Sequence, residues 1–490
     1  MFLGIDLGTS EIKLLLLDAQ HHIVATLGEP LSLQRPQPLW SEQHPADWWS
    51  ACDTAMQRLA AQQPAAMRQV QAIGLSGQMH GAVLLGADHA VLRPAILWND
   101  GRSGAECHEL EQACPRLHAL AGNLAMPGFT APKLQWVRHH EPALFEQTKL
   151  VLLPKDWLRL QLTGEAVSEM SDASGTLWLD VSQRCWSDEL LAATGLSTAH
   201  MPRLIEGNQA SGTLKADLAQ RWGLPDGVVV AGGGGDNAAS AVGIGAVQPN
   251  QGFVSLGTSG VIFLSSDQFR PNPATALHAF CHALPGTWHQ MSVMLSAASA
   301  LRWVRELLGL ASEAELMARI GTLSAAQRAA APLFLPYLSG ERSPHNNPNA
   351  QGVLFGLTAA HDAASIGYAV MEGVTFGLLD GWESLGAAPG SVQALSLVGG
   401  GARSPLWAQQ LASAIGVPML THEGGEAGGA LGAARLAWLA VGGALSEVCT
   451  TPPVSARYEP DAAQHAELAP RRARWLKLYP LLDEAFWQGV

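Results

Sequence analysis

The chain has 490 residues, 48% of them hydrophobic and 14% charged, with 51 glycines and a formal net charge of −13. That length exceeds one ordinary core and calls for two domains or more, and the apolar content excludes a disordered chain. The acidic balance excludes the phosphate-neutralising attraction that drives nucleic-acid binding, so no nucleic-acid partner is expected.

The N-terminal residues Phe2–Asp6, Ile12–Leu17 and His22–Leu27 read as a three-strand meander. A helix over Pro45–Gln62 follows, then a strand Val70–Leu75 ending in SGQMHG, Ser76 to Gly81, and a strand Ala82–Leu85. Residues 95–99 lead into LWNDGRS, a helix spans 104–113, and residues 120–135 read as a loop entering a helix. Val151–Leu153 and PKDWLRLQLTGE read as strand then helix, with Gly164 as the stop. The apolar strand Val228–Ala231 runs into Gly232-Gly233-Gly234-Gly235-Asp236-Asn237 and a helix from Ala238.

After AVQPNQG, the expected boundary near 245–250, a hairpin opens the second half. It is followed by a strand Trp288–Met294, a helix Ser296–Leu308, the loop LPYLSGERSPHNNPNAQG, a helix Ala363–Leu385 and a strand Ala394–Val398. Gly399-Gly400-Gly401 comes next, then a helix Pro405–Ile415 with Ser404 as N-cap. Residues 428–446 are apolar and rich in small residues, and read as a buried helix; no membrane role is expected. The tail 462–486 is helical and locally basic (Arg471, Arg472, Arg474, Lys477), which suggests a solvated face. The N-terminus has no basic flank and carries Asp6 in its apolar run, so no signal peptide is expected. The six cysteines form no C-x-x-C and fit a reducing, cytoplasmic setting.

One stretch occurs twice. Leu7-Gly8-Thr9-Ser10 and Leu256-Gly257-Thr258-Ser259 lie 249 residues apart, each between apolar strand-like runs. A hairpin turn of this kind presents free N–H groups and hydroxyls to phosphate oxygens. The matching flanks and mid-chain offset indicate duplication. Asp6 precedes the first copy and Ser255 the second, so one hairpin alone offers a carboxylate. A carboxylate ending an apolar strand needs a partner or a cation, and Mg²⁺ shared with nucleotide phosphates is a natural one. Lys13 could reach a phosphate or face outward. Strand–glycines–Asp236–helix suggests close approach of a substrate to the backbone beside a carboxylate; on its own, Asp236 could simply cap the helix. Neither a P-loop nor a G-x-G-x-x-G dinucleotide motif is present.

Taken together, GIDLGTS (4–10), SGQMHG (76–81), LWNDGR (97–102), TAPKLQW (130–136), DASGTLWLD (172–180), GGGDNAA (233–239), SLGTSG (255–260), PYLSGERSPHNNP (336–348) and GGGARSPLW (399–407) resemble the FGGY family of carbohydrate kinases. SGQMHG, LWND-x-R and PYLSGERSPH are the more particular to members acting on xylulose. The resemblance implies an α/β chain of two actin/hexokinase-like (ribonuclease H-like) domains around a central cleft. Residues 1–245 would bind the sugar and 246–490 the nucleotide. It implies ATP and Mg²⁺, with D-xylulose or a related ketose as acceptor. Asp236 would be the general base and Asp6 the Mg²⁺ residue of the catalytic pair. Gln78, Met79, His80, Trp98 and Asn237 would contact the sugar. Gly8, Thr9, Ser10, Lys13, Gly257 and Thr258 would hold the phosphates, and Gly400 and Gly401 would back the adenosine. Four glycines precede Asp236 where three are usual, which puts the strand-end geometry in doubt. Another ketose or polyol as acceptor, a non-catalytic ATP-dependent sugar sensor, and a homodimeric state all stay open.

Overall fold

Two seven-stranded mixed sheets frame the computed structural model, which describes residues 1–423 and 428–488. In the first sheet the spatial order is Ala210–Thr213, Val229–Ala231, Ala72–Gly77, Phe2–Leu7, Glu11–Leu17, Ile23–Pro30, and Gly234–Gly235 pairs beside Ala72–Gly77. In the second the order is His278–Cys281, Trp288–Met294, Gly260–Ser266, Gly252–Leu256, Leu395–Val398, Met419–His422, Val454–Tyr458. Phe2–Leu7 pairs antiparallel with the next strand and parallel with Ala72–Gly77; Gly252–Leu256 does the same with Gly260–Ser266 and Leu395–Val398. Each sheet continues with one more parallel strand and an antiparallel strand beyond it. Both halves therefore share one topology, as the repeated tetrapeptide predicts.

Leu14, Leu15, Leu16 and Leu17 are all fully buried, because both faces of the first sheet are covered. Alternate residues of these strands pack toward Trp48, Cys52 and Met56 on one face and toward Ala430, Ala434 and Ala437 on the other. Helix Pro45–Gln62 supplies the first of these layers. It has Pro45 at its first turn and buries Trp48, Ala51, Cys52, Ala55, Met56 and Leu59, an i, i+3, i+4 stripe. Helix Gly428–Ala440 supplies the second. It comes from the second half of the sequence yet lies on Phe2–Leu7 and Ala72–Gly77, beside helix Asp236–Ile244.

Glycine makes that approach possible. A Cβ at Gly4 would stand 1.9 Å from the Ala430 carbonyl oxygen, and one at Gly74 would stand 1.8 Å from that of Ala433. The apolar stretch 428–446 is thus buried against protein through Ala440, and no described helix is long and apolar enough to cross a membrane.

The tail departs from its expected solvated face. Within helix Ala462–Trp475, Arg471 and Arg472 are buried. Arg471 forms a two-pronged pair with Glu372 at 2.6 Å, and Arg472 pairs with Asp380. Both acids lie on the long helix Ala363–Leu385, so these arginines dock the tail onto the second half. Arg474 and Lys477 stay exposed. Sequence pattern could not separate the two pairs, because a buried arginine is betrayed by its partner and not by its neighbours.

Candidate active site

A cavity of about 230 Å³ lies between the two sheets. The first half lines it with Met79, His80, Trp98, Met126, Phe129, Asp236 and Asn237, and the second with Ser255, Ser259, Val261, His278, Met291, Val293 and Arg342. Ligand clefts commonly run to roughly 300–1,000 Å³. This one therefore suits a solute of a few carbons and leaves a nucleotide to lie outside it.

Asp236 opens helix Asp236–Ile244, two residues before the expected start. Its Oδ1 accepts hydrogen bonds from the Asn237 backbone N at 2.7 Å and from Asn237 Nδ2 at 2.8 Å. Among the described residues, Oδ2 accepts none. The carboxylate is thus held by one oxygen with the other left open at the cavity. Burial, and then the negative charge of Asp6, push its pKa up to about 7 against the pull of the Asn237 bonds. A carboxylate poised there can remove a proton at neutral pH and hold it afterwards.

Asp6 sits directly across the strand pairs from Lys13 and Ser76. Its Oδ1 is buried with no hydrogen-bond partner. Burial raises its pKa, and the nearby Ser76 hydroxyl and then Lys13 oppose that rise. A Cβ at Gly429 would stand 2.8 Å from Ser76 Oγ and 2.9 Å from Asp6 Oδ1, so a larger residue where the helix Gly428–Ala440 passes would displace one of these side chains.

The glycine run before Asp236 differs from the substrate-approach reading. A Cβ at Gly233 would stand 2.1 Å from the Leu75 carbonyl oxygen, at φ +79°, and one at Gly232 would stand 2.4 Å from that of Glu206. At Gly235 a Cβ would meet Met79 Sδ at 2.9 Å. Protein backbone and Met79, not a ligand, occupy the space these glycines leave.

His80 holds φ +68°, a conformation rare for a residue with a Cβ. Its Nδ1 lies 2.7 Å from the Gly175 carbonyl oxygen, which can only accept. The proton is therefore on Nδ1, and Nε2 presents a lone pair. Burial lowers the ring's pKa to about 3, so it stays neutral. Phe129 sits edge-on to it at 4.7 Å. Met79, Trp98 and Asn237 also reach the cavity, whereas Gln78 does not. The Gln78 amide accepts from Thr9 Oγ1 at 3.2 Å and donates to Gln43 Oε1 at 3.0 Å and to the Gly8 carbonyl at 3.4 Å. It braces the first hairpin turn.

In that turn, Gly8 N donates to the Glu11 carbonyl, and Thr9 Oγ1 accepts from Trp98 Nε1 at 2.9 Å. The N–H groups of Thr9 and Ser10 donate to no described residue. Lys13 pairs with Glu11 at 3.2 Å and remains partly exposed. In the second turn the Gly257 and Thr258 carbonyls accept from Ala298 and Ala297 N–H at 2.8 and 3.0 Å, at the start of helix Ala298–Leu307. Its own N–H groups, from Gly257 through Ser259, donate to no described residue. Gly399, at φ +88°, and Gly401 press on Leu256, while a Cβ on Gly400 would meet nothing within 4 Å. Gly400 thus opens to space beside the second hairpin.

Sequence reading missed Phe129, Ser259, His278 and Arg342 as cavity residues. Arg342 lies in the quoted PYLSGERSPH motif but received no role, because a loop motif does not tell which way its side chains point.

Two sheets of one topology that close on a poised carboxylate and two phosphate-sized turns define a phosphotransferase of the actin/hexokinase-like fold. Residues 1–243 match the FGGY family of carbohydrate kinases, N-terminal domain, and residues 252–441 match its C-terminal domain. The chain belongs to the FGGY family of carbohydrate kinases, ATP-dependent sugar kinases. Within the family it is 51% identical over 485 residues to the xylulose kinase of Escherichia coli (strain K12), covering 98% of this chain and 99% of the relative. It is 51% identical over 485 residues to the xylulose kinase of Klebsiella pneumoniae as well, with the same coverage. A crystal structure described as a "xyloylose kinase" from Brucella ovis superposes with a TM-score of 0.95 at 48% identity, covering 99% of both chains.

Proposed function

We propose that this chain transfers the γ-phosphoryl group of ATP to D-xylulose, yielding ADP and D-xylulose 5-phosphate. The observation that carries the reading is Asp236, with one oxygen held by Asn237, one oxygen open, and a pKa near 7 in a sugar-sized cavity. The relatives named xylulose kinase, matched along nearly the whole chain, support the acceptor.

Phosphoryl transfer asks a protein mainly for positioning and charge stabilisation. Asp236 Oδ2 takes the proton from the terminal hydroxyl as that oxygen attacks, and burial favours the neutral acid that results. His80 Nε2 accepts from a second hydroxyl and orients the chain of the sugar. The open N–H groups of Thr9, Ser10, Gly257, Thr258 and Ser259 receive the phosphate oxygens from both sides, with Gly400 leaving room for the adenosine face. In this reading residues 1–245 carry the sugar and residues 246–490 the nucleotide.

Asp6 fits Mg²⁺, because hard cations take oxygen ligands and its Oδ1 is a buried oxygen without a partner. Among the described residues no three His, Cys, Asp or Glu side chains group to hold an ion by themselves, so Asp6 would share it with phosphate oxygens and water. Bound there, the ion supplies neutralisation of phosphate charge. Six unpaired thiols support the reducing, cytoplasmic setting in which ATP is at hand.

The test is a panel of pentuloses, hexuloses and polyols with Mg²⁺ and ATP, read as ADP release. D-xylulose should give the highest kcat/KM, with one ADP per sugar phosphate formed. Absence of xylulose-dependent ADP release, with turnover of another member of the panel, overturns the acceptor. Absence of turnover across the whole panel, with ATP and sugar still bound, favours the sensor reading.

A further inference from the structure

Among the polar groups of the cavity, the Asn237 amide and the Ser255 and Ser259 hydroxyls can donate or accept, and the Trp98 N–H is engaged by Thr9, whereas three groups are fixed in one sense. From the first half come acceptors: Asp236 Oδ2 and His80 Nε2. From the second half comes a donor that accepts nothing, the guanidinium of Arg342. Its setting is built. Arg342 Nη1 donates to His278 Nε2 at 3.3 Å. His278 Nδ1 lies 2.9 Å from Asn123 Oδ1, and Asn123 Nδ2 donates to the Ala121 and Ala279 carbonyls at 2.7 and 3.1 Å. The amide orientation of Asn123 is thus set, so Oδ1 must accept and His278 must carry its proton on Nδ1. That leaves His278 Nε2 free to receive the guanidinium.

Arg342 makes no ion pair among the described residues. The neighbouring carboxylate of Glu341 instead accepts the backbone N–H groups of Arg342 and Leu295, at 2.7 and 3.1 Å. Nη2 reaches the first half, 3.9 Å from where a Cβ on Gly128 would stand. Burial outweighs the pull of the Glu341 charge on this cation, so a guanidinium anchored through one nitrogen and bordering the cavity with the rest is costly unless an acceptor enters.

This step rests on the acceptor proposed above and adds to it. Xylulose closes to a furanose by joining O5 to C2. A sugar phosphorylated on O5 must therefore be bound open, with a free C2 carbonyl. That oxygen can only accept, while its neighbouring hydroxyls can donate. We propose that Arg342 is the specificity residue for the ketone, donating to the C2 carbonyl oxygen while His80 and Asp236 accept from hydroxyls, so that the cavity prefers a ketose to the polyol of the same length. The residue comes from the second half, so the ketone is read across the cleft from the base.

The experiment measures binding of D-xylulose and xylitol, without nucleotide, by calorimetry on the wild-type chain, Arg342→Gln and Arg342→Lys. Xylitol keeps the carbon chain and replaces the carbonyl by a hydroxyl. The wild type should bind D-xylulose more tightly than xylitol. Arg342→Gln should weaken D-xylulose by about 10–100-fold, as for loss of a charged hydrogen bond, and xylitol by less than about threefold. Arg342→Lys, which keeps the charge and loses the fork, should fall between. Equal weakening of both ligands, or no weakening, overturns the assignment. Should neither variant fold, equal wild-type affinity for the two ligands overturns it alone. Wild-type ADP release with D-xylulose is measured in parallel: its absence defeats the acceptor reading, whereas parallel weakening with intact turnover defeats the role of Arg342 only.

Discussion

The two Leu-Gly-Thr-Ser hairpins share a tetrapeptide, a strand order and a place in their sheets, yet they are covered and used differently. In register, Asp6 corresponds to Ser255 and Gly4 to Phe253. Over the first hairpin, helix Gly428–Ala440 presses its backbone onto Gly4. In the second, Phe253 is buried and stacks on Phe263 at a centroid distance of 5.0 Å. The first turn is braced by side chains, Gln78 and Trp98 on Thr9. The second is braced by its own carbonyls on helix Ala298–Leu307. Thr9 and Ser10 in the first, and Gly257 through Ser259 in the second, donate their N–H groups to no described residue. Duplication thus preserved a turn with open backbone N–H groups, and the side chains around it diverged until only the first copy kept a carboxylate at its strand end.

The largest expected effect removes the chemistry of the first half altogether. Asp236→Asn should lower kcat by roughly 10²–10⁴-fold or more, with ATP affinity unchanged in calorimetry, since the proposed nucleotide site on the turns and Gly400 does not include this carboxylate. Near wild-type turnover would end the assignment of the base.

Next come the two coverings. Phe253→Ala opens a cavity in the second half and should cost about 3–5 kcal/mol in denaturant unfolding. Gly4→Ala at the matching position overpacks a backbone contact and should cost about 1–3 kcal/mol. If Gly4→Ala is neutral, the helix does not press on the first strand as described.

Asp6→Ser writes the second hairpin's residue into the first. The Mg²⁺ concentration for half-maximal rate should rise about tenfold or more, while D-xylulose affinity stays within about twofold. Loss of sugar binding with an unchanged Mg²⁺ requirement would move Asp6 out of its role.

The same variant tests the electrostatic link between the two acids. The negative charge of Asp6 raises the Asp236 pKa, second to burial. Removing it should shift the acid limb of the kcat/KM profile below its wild-type position near pH 7, by less than about one unit. Activity is lost as pH falls through that value, because the protonated carboxyl cannot accept; a limb that moves upward would contradict the coupling.

The smallest effect is expected at Gly400. Its Cβ would meet nothing, so Gly400→Ala should leave stability within about 0.5 kcal/mol, and any loss should appear in KM for ATP. A large stability loss would mean that this glycine serves packing, as Gly401 does.

Sequence alone determined the repeat and the type of nearly every central element. Helices Pro45–Gln62, Ala363–Leu385 and Pro405–Ile415 run between the residues their caps and periodicity indicate. These are local properties: a proline at the first turn, an apolar stripe, a glycine stop. Tertiary structure alone decided what each glycine makes room for, and Gly232 to Gly235 turned out to accommodate the chain itself. It also decided that Gln78 braces a turn, that Arg471 and Arg472 are buried, and that Arg342 reaches across the cleft. Each of these depends on a partner 30 to more than 100 residues away. The free energy of a buried polar group is set by what stands opposite it, and a one-dimensional pattern carries no record of that neighbour.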